Sequence, residues 1–209
     1  MSKIYFQGTF GAYSNLAALA VEPDAEIIPC KTFDECFLKA SLEIGSRIVI
    51  PESNRITGNI GIEYLIFKYR LNIYAEHFQK IEHNLLGQPG STLKDIKDIF
   101  SHAQALSQCS EFVKKNDLVE HIRADTAGSA QTVSKSKIKS EAAIASSLSA
   151  NIYKLKILAS NIENEKGNAT RFLIMGKEVS QPDFGDKKYI TSFLFKLKSK
   201  PAALYQSLG

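Results

Sequence analysis

Apolar residues recur along this chain in two alternating rhythms: short runs at period two, and longer stretches at helical spacing. Lys3–Gln7 predicts a strand that stops at Gly8. Ala12–Val21 predicts a helix with Leu16, Leu19 and Ala20 on one face. Glu26–Cys30 reads as a short strand. Thr32 and Glu35 then have capping-box spacing: the Thr32 hydroxyl accepts from the Glu35 amide while the Glu35 carboxylate reaches back. The helix so opened should run to Gly45, and Arg47–Ile50 reads as a buried strand halted by Pro51. A polar, glycine-bearing stretch from Pro51 to Gly61 leads into a helix at Ile62–Tyr69 and an extended segment at Leu71–Leu86. Further helices are predicted at Ser91–Asp98, Ala103–Lys114 and Thr126–Ser134. Strands are predicted at Asp98–Ser101, Val119–Arg123, Ala142–Ala145 and Arg171–Met175. The alternation predicts an α/β fold with a parallel or mixed sheet flanked by helices, and ligands beyond the carboxyl ends of its strands.

The pattern divides at residue 178. Val179–Lys188 is a polar linker with Pro182 and Gly185. Tyr189–Leu197 alternates as a strand before Lys200-Pro201, and Ala202–Leu208 begins a helix. One strand and one helical turn cannot bury a core alone, so residues 189–209 read as the truncated start of a second domain.

The 209 residues are 44% hydrophobic and 23% charged, which suits an ordinary globular protein with a sizeable core. The net charge of +4 is spread through interleaved acids and bases. The basic run Lys135–Lys139 carries no aromatic residues of the kind that stack on bases, so no nucleic-acid partner is expected. No run approaches the roughly 18 apolar residues that span a bilayer. The polar first eight residues do not resemble a signal peptide, and the expectation is a cytoplasmic protein without membrane contact. Cys30, Cys36 and Cys109 lack C-x-x-C spacing and read as buried apolar residues.

Polar residues gather just after the strands. Gln7–Ser14 is a glycine-bearing strand-to-helix turn that reads as an ordinary tight turn or as helical amides suited to an anion. Pro51–Gly58, Ser101–Cys109, Asp125–Ala130 and Asn168–Phe172 are the others, with Asp125 also readable as a helix N-cap. The four histidines, His77, His83, His102 and His121, have no metal-ligand spacing, and no serine–histidine–acid order stands out. These residues describe a site of hydroxyls, amides and one arginine that can hold carboxylates without metal or cofactor.

Taken in order, the five segments resemble the prephenate dehydratase family over about residues 3–178. Phe6-Gln7-Gly8 with Gly11-Ala12-Tyr13-Ser14 matches its opening. Ser101-His102-x-Gln104-Ala105-Leu106-x-Gln108-Cys109 is similar to its S-H-P-Q-A-L-x-Q-C stretch, with Ala103 for proline. Asn168-x-Thr170-Arg171-Phe172 matches its N-x-T-R-F motif, and Asp125–Ala130 its threonine-alanine segment. The resemblance implies two α/β lobes, like a class II periplasmic binding protein, with the active site in the cleft between them. It implies decarboxylating dehydration of prephenate to phenylpyruvate, a small-molecule substrate handled with no cofactor and no metal. By resemblance Thr170 helps the hydroxyl leave, and Arg171 holds a substrate carboxylate. Asn54, Gln104, Thr126 and Ser14 fix the remaining oxygens, with Phe172 beside them.

Two departures qualify the likeness. The family's P-I-E-N-S segment is Pro51-Glu52-Ser53-Asn54-Arg55 in this chain, so its glutamate position holds Ser53 and its serine position Arg55. Arg55 could serve a dicarboxylate or block the pocket. Tyr189–Leu208 is similar to the start of the family's regulatory ACT domain, where members bind phenylalanine, so that feedback is expected to be lost. The family's habit of dimerising allows a homodimer. The same chemistry on arogenate, or a non-catalytic carboxylate-binding protein of the same fold, are the alternative readings.

Overall fold

The computed structural model describes residues 2–178, 197 and 199–208. The expected linker 179–188 and nearly all of the expected strand Tyr189–Leu197 lie outside the described residues. The helix expected at the end is α8, given below.

In chain order the first elements are β1 (Lys3–Gln7), α1 (Tyr13–Val21), β2 (Glu26–Cys30), α2 (Phe33–Leu42), β3 (Arg47–Asn54), β4 (Gly58–Asn59), α3 (Glu63–Tyr69) and β5 (Asn72–Lys80). The chain then crosses into β6 (Asn84–Gly87), a 3-10 turn at Leu93–Asp95, β7 (Asp98–His102), α4 (Ala103–Gln108), α5 (Ser110–Lys115) and β8 (Val119–Arg123). α6 (Thr126–Ser136), β9 (Glu141–Ala145), α7 (Ser147–Tyr153) and β10 (Lys156–Ala159) follow. It crosses back into β11 (Ala169–Gly176), and α8 (Ala203–Leu208) is the last element described.

Two mixed sheets result, one per lobe. The first has strand order β2-β1-β3-β11-β5, with β4 paired to β3; the second has order β10-β6-β9-β7-β8. β1, β2 and β3 run parallel, and β11 lies antiparallel between β3 and β5. β7, β8 and β9 also run parallel. Period-two alternation in β11 sends Phe172 and Ile174 to one face, against Ile4, Val49, Ala17 and Ala18. Leu173 and Met175 go to the other face, against Ile48, Ile50, Phe37 and Leu65. Cys30, Cys36 and Cys109 are free and buried, as their apolar reading required; burial lifts the Cys109 thiol to about 12.

Several expected boundaries change, each for a tertiary reason. Pro51 does not halt β3. The β1 partnership of β3 ends at Val49, and the register with β11 slips beside Pro51, so the missing proline N–H leaves no ladder bond unmade. α2 stops at Leu42, three residues before Gly45. The Thr32 cap forms, but the Glu35 carboxylate takes the Lys31 amide at 2.8 Å. Ser91–Asp98 closes after one 3-10 turn because the Asp95 carboxylate accepts from both the amide and the hydroxyl of Thr92. The helix expected over Ala103–Lys114 breaks at Cys109. There Asn164 donates its amide to the Gln108 carbonyl at 2.7 Å and accepts the Glu111 amide at 3.1 Å. α7 and β10 were not expected from the pattern.

The two crossings, residues 81–83 and 160–168, form a hinge layer. His83 joins it to both lobes: Tyr13 Oη lies 2.9 Å from Nδ1 and Gln108 Oε1 lies 2.9 Å from Nε2, while Tyr13 also donates to the Glu82 carbonyl at 2.7 Å. The His83 amide donates to Glu163 at 3.0 Å. The lobes also meet directly, where the Gly11 carbonyl accepts from Ser146 Oγ at 2.6 Å and Ser149 Oγ at 3.0 Å, and Tyr153 donates to the Phe10 carbonyl at 2.6 Å. Gly11 has φ +94°, and a Cβ there would stand 2.5 Å from Ser149 Oγ.

Gly11→Ala is therefore expected to destabilise the fold by about 2–4 kcal/mol, read as a lower melting temperature. Burial also pulls the His83 imidazole below its ordinary value of 6.5. The unfolded chain then takes up a proton that the folded chain refuses. This contribution to stability is complete above the ordinary value and is lost as pH falls through the depressed one. The melting temperature should fall as pH drops below the ordinary imidazole value of 6.5, and His83→Gln should flatten that part of the profile.

Candidate active site

The parallel strands of the first sheet end at Gln7, Cys30 and Asn54, and those of the second at His102, Arg123 and Ala145. Both sets of ends face one cleft. The loop after β1 touches α7 after β9, and Thr57 after β3 touches α4 after β7. This is where an open α/β sheet places ligands.

Asn54 is the organising residue. It is 8% exposed, and its Oδ1 accepts the amides of Ile56 at 3.0 Å and Thr57 at 3.2 Å. Those two donors settle which way the amide points, so its NH2 must face β11. There Nδ2 donates to Thr170 Oγ1 at 2.8 Å. Thr170 is 7% exposed and lies directly opposite Asn54 in the ladder. Because its oxygen accepts from Asn54, its own hydrogen is left to donate. From the other lobe Gln104 Nε2 donates to Thr57 Oγ1 at 3.2 Å, and that hydroxyl lies 3.4 Å from Asn54 Oδ1. One chain of donors thus runs from α4 across the cleft to Thr170.

Ser14 sits buried in the first turn of α1, and Thr126 opens α6 behind the Asp125 cap, whose carboxylate accepts the Gly128 amide at 2.6 Å. Both stand at helix starts after cleft-facing strands. Among the described residues neither bonds to the Asn54 network.

Arg171 and Phe172 are placed differently from the expectation. Alternation along β11 puts Arg171 on the opposite face from Thr170, where Nε donates to Glu76 at 2.7 Å and Nη1 to Glu52 at 3.3 Å. Its guanidinium is engaged by two carboxylates of its own chain. Phe172 shares the Thr170 side but is 1% exposed and belongs to the core against α1. Arg55 neither fills nor lines the Asn54–Thr170 contact: its Nη1 donates to the Gly167 carbonyl at 3.2 Å and it remains exposed. The sequence did not single out Thr57, Glu52 or Glu76. Thr57 stood in the marked segment Pro51–Gly58, but the Gln104 bond that gives it meaning spans 47 positions.

A pocket beside this network is lined by Ile56, Ser107, Gln108, Glu163, Asn164, Glu165 and Asn168, at the base of the hinge. Among the described residues, Gln108 Nε2 and Asn168 Oδ1 are buried there without hydrogen-bond partners. Among the described residues no helix is long and apolar enough to cross a membrane.

Residues 4–180 match the family model described as prephenate dehydratase. The chain is 41% identical over 208 residues to arogenate dehydratase/prephenate dehydratase 1, chloroplastic, of Arabidopsis thaliana, covering 99% of this chain and 53% of that one. It is 35% identical to a bifunctional N-acyl-homoserine lactone acylase/prephenate dehydratase of Komagataeibacter europaeus, covering 99% of this chain and 74% of the other. The chain thus spans about half the length of the plant relative. Among solved structures, prephenate dehydratase of Arthrobacter aurescens in complex with L-Phe superposes with a TM-score of 0.80 at 25% identity, covering 88% of this chain and 63% of that one. The extent of the family match, with the two-sheet α/β architecture that it shares with that structure, means that this chain belongs to the prephenate dehydratase family.

Proposed function

We propose that the chain catalyses the decarboxylating dehydration of prephenate to phenylpyruvate, or the same step on arogenate, whose side chain carries an amino group in place of the ketone. The observation that carries this reading is the Asn54–Thr170 bond of 2.8 Å, which leaves a buried hydroxyl able to donate. The reaction breaks the ring C–OH bond and the ring C–carboxylate bond. The electron pair of the departing CO2 enters the ring and completes the aromatic system, while the hydroxyl leaves as water. A leaving hydroxide needs a proton donor where it departs. Thr170 supplies it, and solvent restores the proton. A threonine is a weak acid in water, so this role depends on a site that is dry and already oriented. Hydrogen bonds donated to an oxygen polarise its own O–H, and Asn54 does this for Thr170.

The substrate carboxylates fall to groups other than Arg171 in this reading, because its guanidinium already bridges Glu52 and Glu76. The helix starts at Ser14 and Thr126 present amides with partial positive charge toward the cleft, and Gln104 adds a side-chain donor. Arg171 is then a brace for β11.

Purified protein is expected to form phenylpyruvate from prephenate, or phenylalanine from arogenate, followed by product absorbance and chromatography. No turnover of either substrate by folded protein would defeat the proposal. Thr170→Ala should lower kcat by about 100-fold or more, a loss well beyond the modest fall in melting temperature expected from the lost buried bond, with circular dichroism that of the parent. Asn54→Asp keeps acceptors for the Ile56 and Thr57 amides but cannot donate to Thr170. It should cost about 10- to 100-fold in kcat, while circular dichroism stays that of the parent.

A further inference from the structure

The glutamate missing from the Pro51–Arg55 segment has a counterpart one residue earlier. In the β3–β11 ladder Ser53 faces Arg171 and Pro51 faces Phe172, so Glu52 is the extra residue of a β-bulge. In an unbulged strand, residues 52 and 53 would point to opposite faces. The bulge puts both on the face of Arg171: Glu52 shares it with Ile50 two residues earlier, and Ser53 pairs with Arg171 across the ladder. There Glu52 Oε2 accepts from Arg171 Nη1 at 3.3 Å and from Ser53 Oγ at 2.6 Å. Ser53, at the position where the resembling family has glutamate, is thus a donor to the carboxylate beside it. Arg171 completes the arrangement through Nε to Glu76 on β5 at 2.7 Å.

This is more than a surface ion pair. The Arg171, Glu52 and Glu76 side chains are 26%, 22% and 31% exposed, and together they tie β3, β11 and β5 across one face. Charged groups joined in a network and partly withdrawn from water hold geometry that isolated exposed pairs do not. The tie lies one residue from Thr170, whose hydroxyl must meet Asn54 across the same two strands.

We infer that Glu52, which the bulge sets beside residue 53 on the face of Arg171, is a positioning residue for the reaction. Through Arg171 it fixes the start of β11, and so the Thr170 hydroxyl against Asn54. The inference rests on the dehydratase reading.

The test compares wild type, Glu52→Ile and the double variant Glu52→Ile/Ser53→Glu, which restores the family order, in kcat, KM and melting temperature. Glu52→Ile should lower kcat about 10-fold and change KM less than about twofold, since a brace moves the reacting geometry and not substrate binding. The double variant should recover to within about threefold of wild type in kcat. A structural role alone would move melting temperature without this split or this rescue. Wild-type kcat in Glu52→Ile, or a folded double variant as slow as the single one, would overturn the inference. If Glu52→Ile does not fold, Glu52→Gln keeps an oxygen for Ser53 and Arg171 but loses the charge. A clear kcat loss there supports the inference, and parental kcat overturns it. A wild type that turns over neither substrate defeats the dehydratase reading, and with it the catalytic half of the inference. The pairing half is then decided by whether Ser53→Glu restores the melting temperature lost in Glu52→Ile.

Discussion

The bond from Asn54 Nδ2 to Thr170 Oγ1 is the constraint around which the rest is arranged. A threonine hydroxyl can rotate, accept or donate, and only its surroundings make it a directed donor. Asn54 fixes the direction because its own oxygen is committed to two backbone amides. Those amides belong to the turn between β3 and β4, and Thr57 in that turn receives Gln104 from the other lobe. The two lobes thus meet in one line of donors. Opening the cleft breaks the Gln104 end first and leaves the Asn54–Thr170 end, which lies within one sheet.

Much of the scaffold was legible in the sequence because local physics decides it. β1, β2 and β8 keep their expected bounds, since alternation between glycine, proline and capping residues marks them on both sides. The departures are places where a distant segment acts. Asn164 splits one helix into α4 and α5, and β11 lets β3 continue through Pro51. Neither partner lies within any window that a periodicity can scan.

The site divides in the same way. Thr170, Asn54 and Gln104 were found as motif residues, and they form one network. Phe172 belonged to the same motif for a different reason: it packs the core beneath the site. Arg171 follows Thr170 in the motif, yet adjacent residues of a strand face opposite ways, and its partners are Glu76 and Glu52. At the level of sequence the Ser53 and Arg55 departures left open whether Arg55 serves a dicarboxylate or blocks the pocket. In three dimensions one is a donor to Glu52 and the other a latch on Gly167.

The position of β11 has a consequence for how the molecule is made. The strands β6 to β10 form a sheet from one uninterrupted stretch of chain, whereas β3 and β5 keep unpaired edges until β11 arrives between them. During synthesis the first lobe must wait, incomplete and with strand edges open, while the whole second lobe emerges. Such edges are the sites at which nascent chains associate wrongly. Because Thr170 rides on that final strand, the same event that closes the sheet also sets its hydroxyl against Asn54. A partly made chain can therefore have a finished second lobe and no Asn54–Thr170 pair.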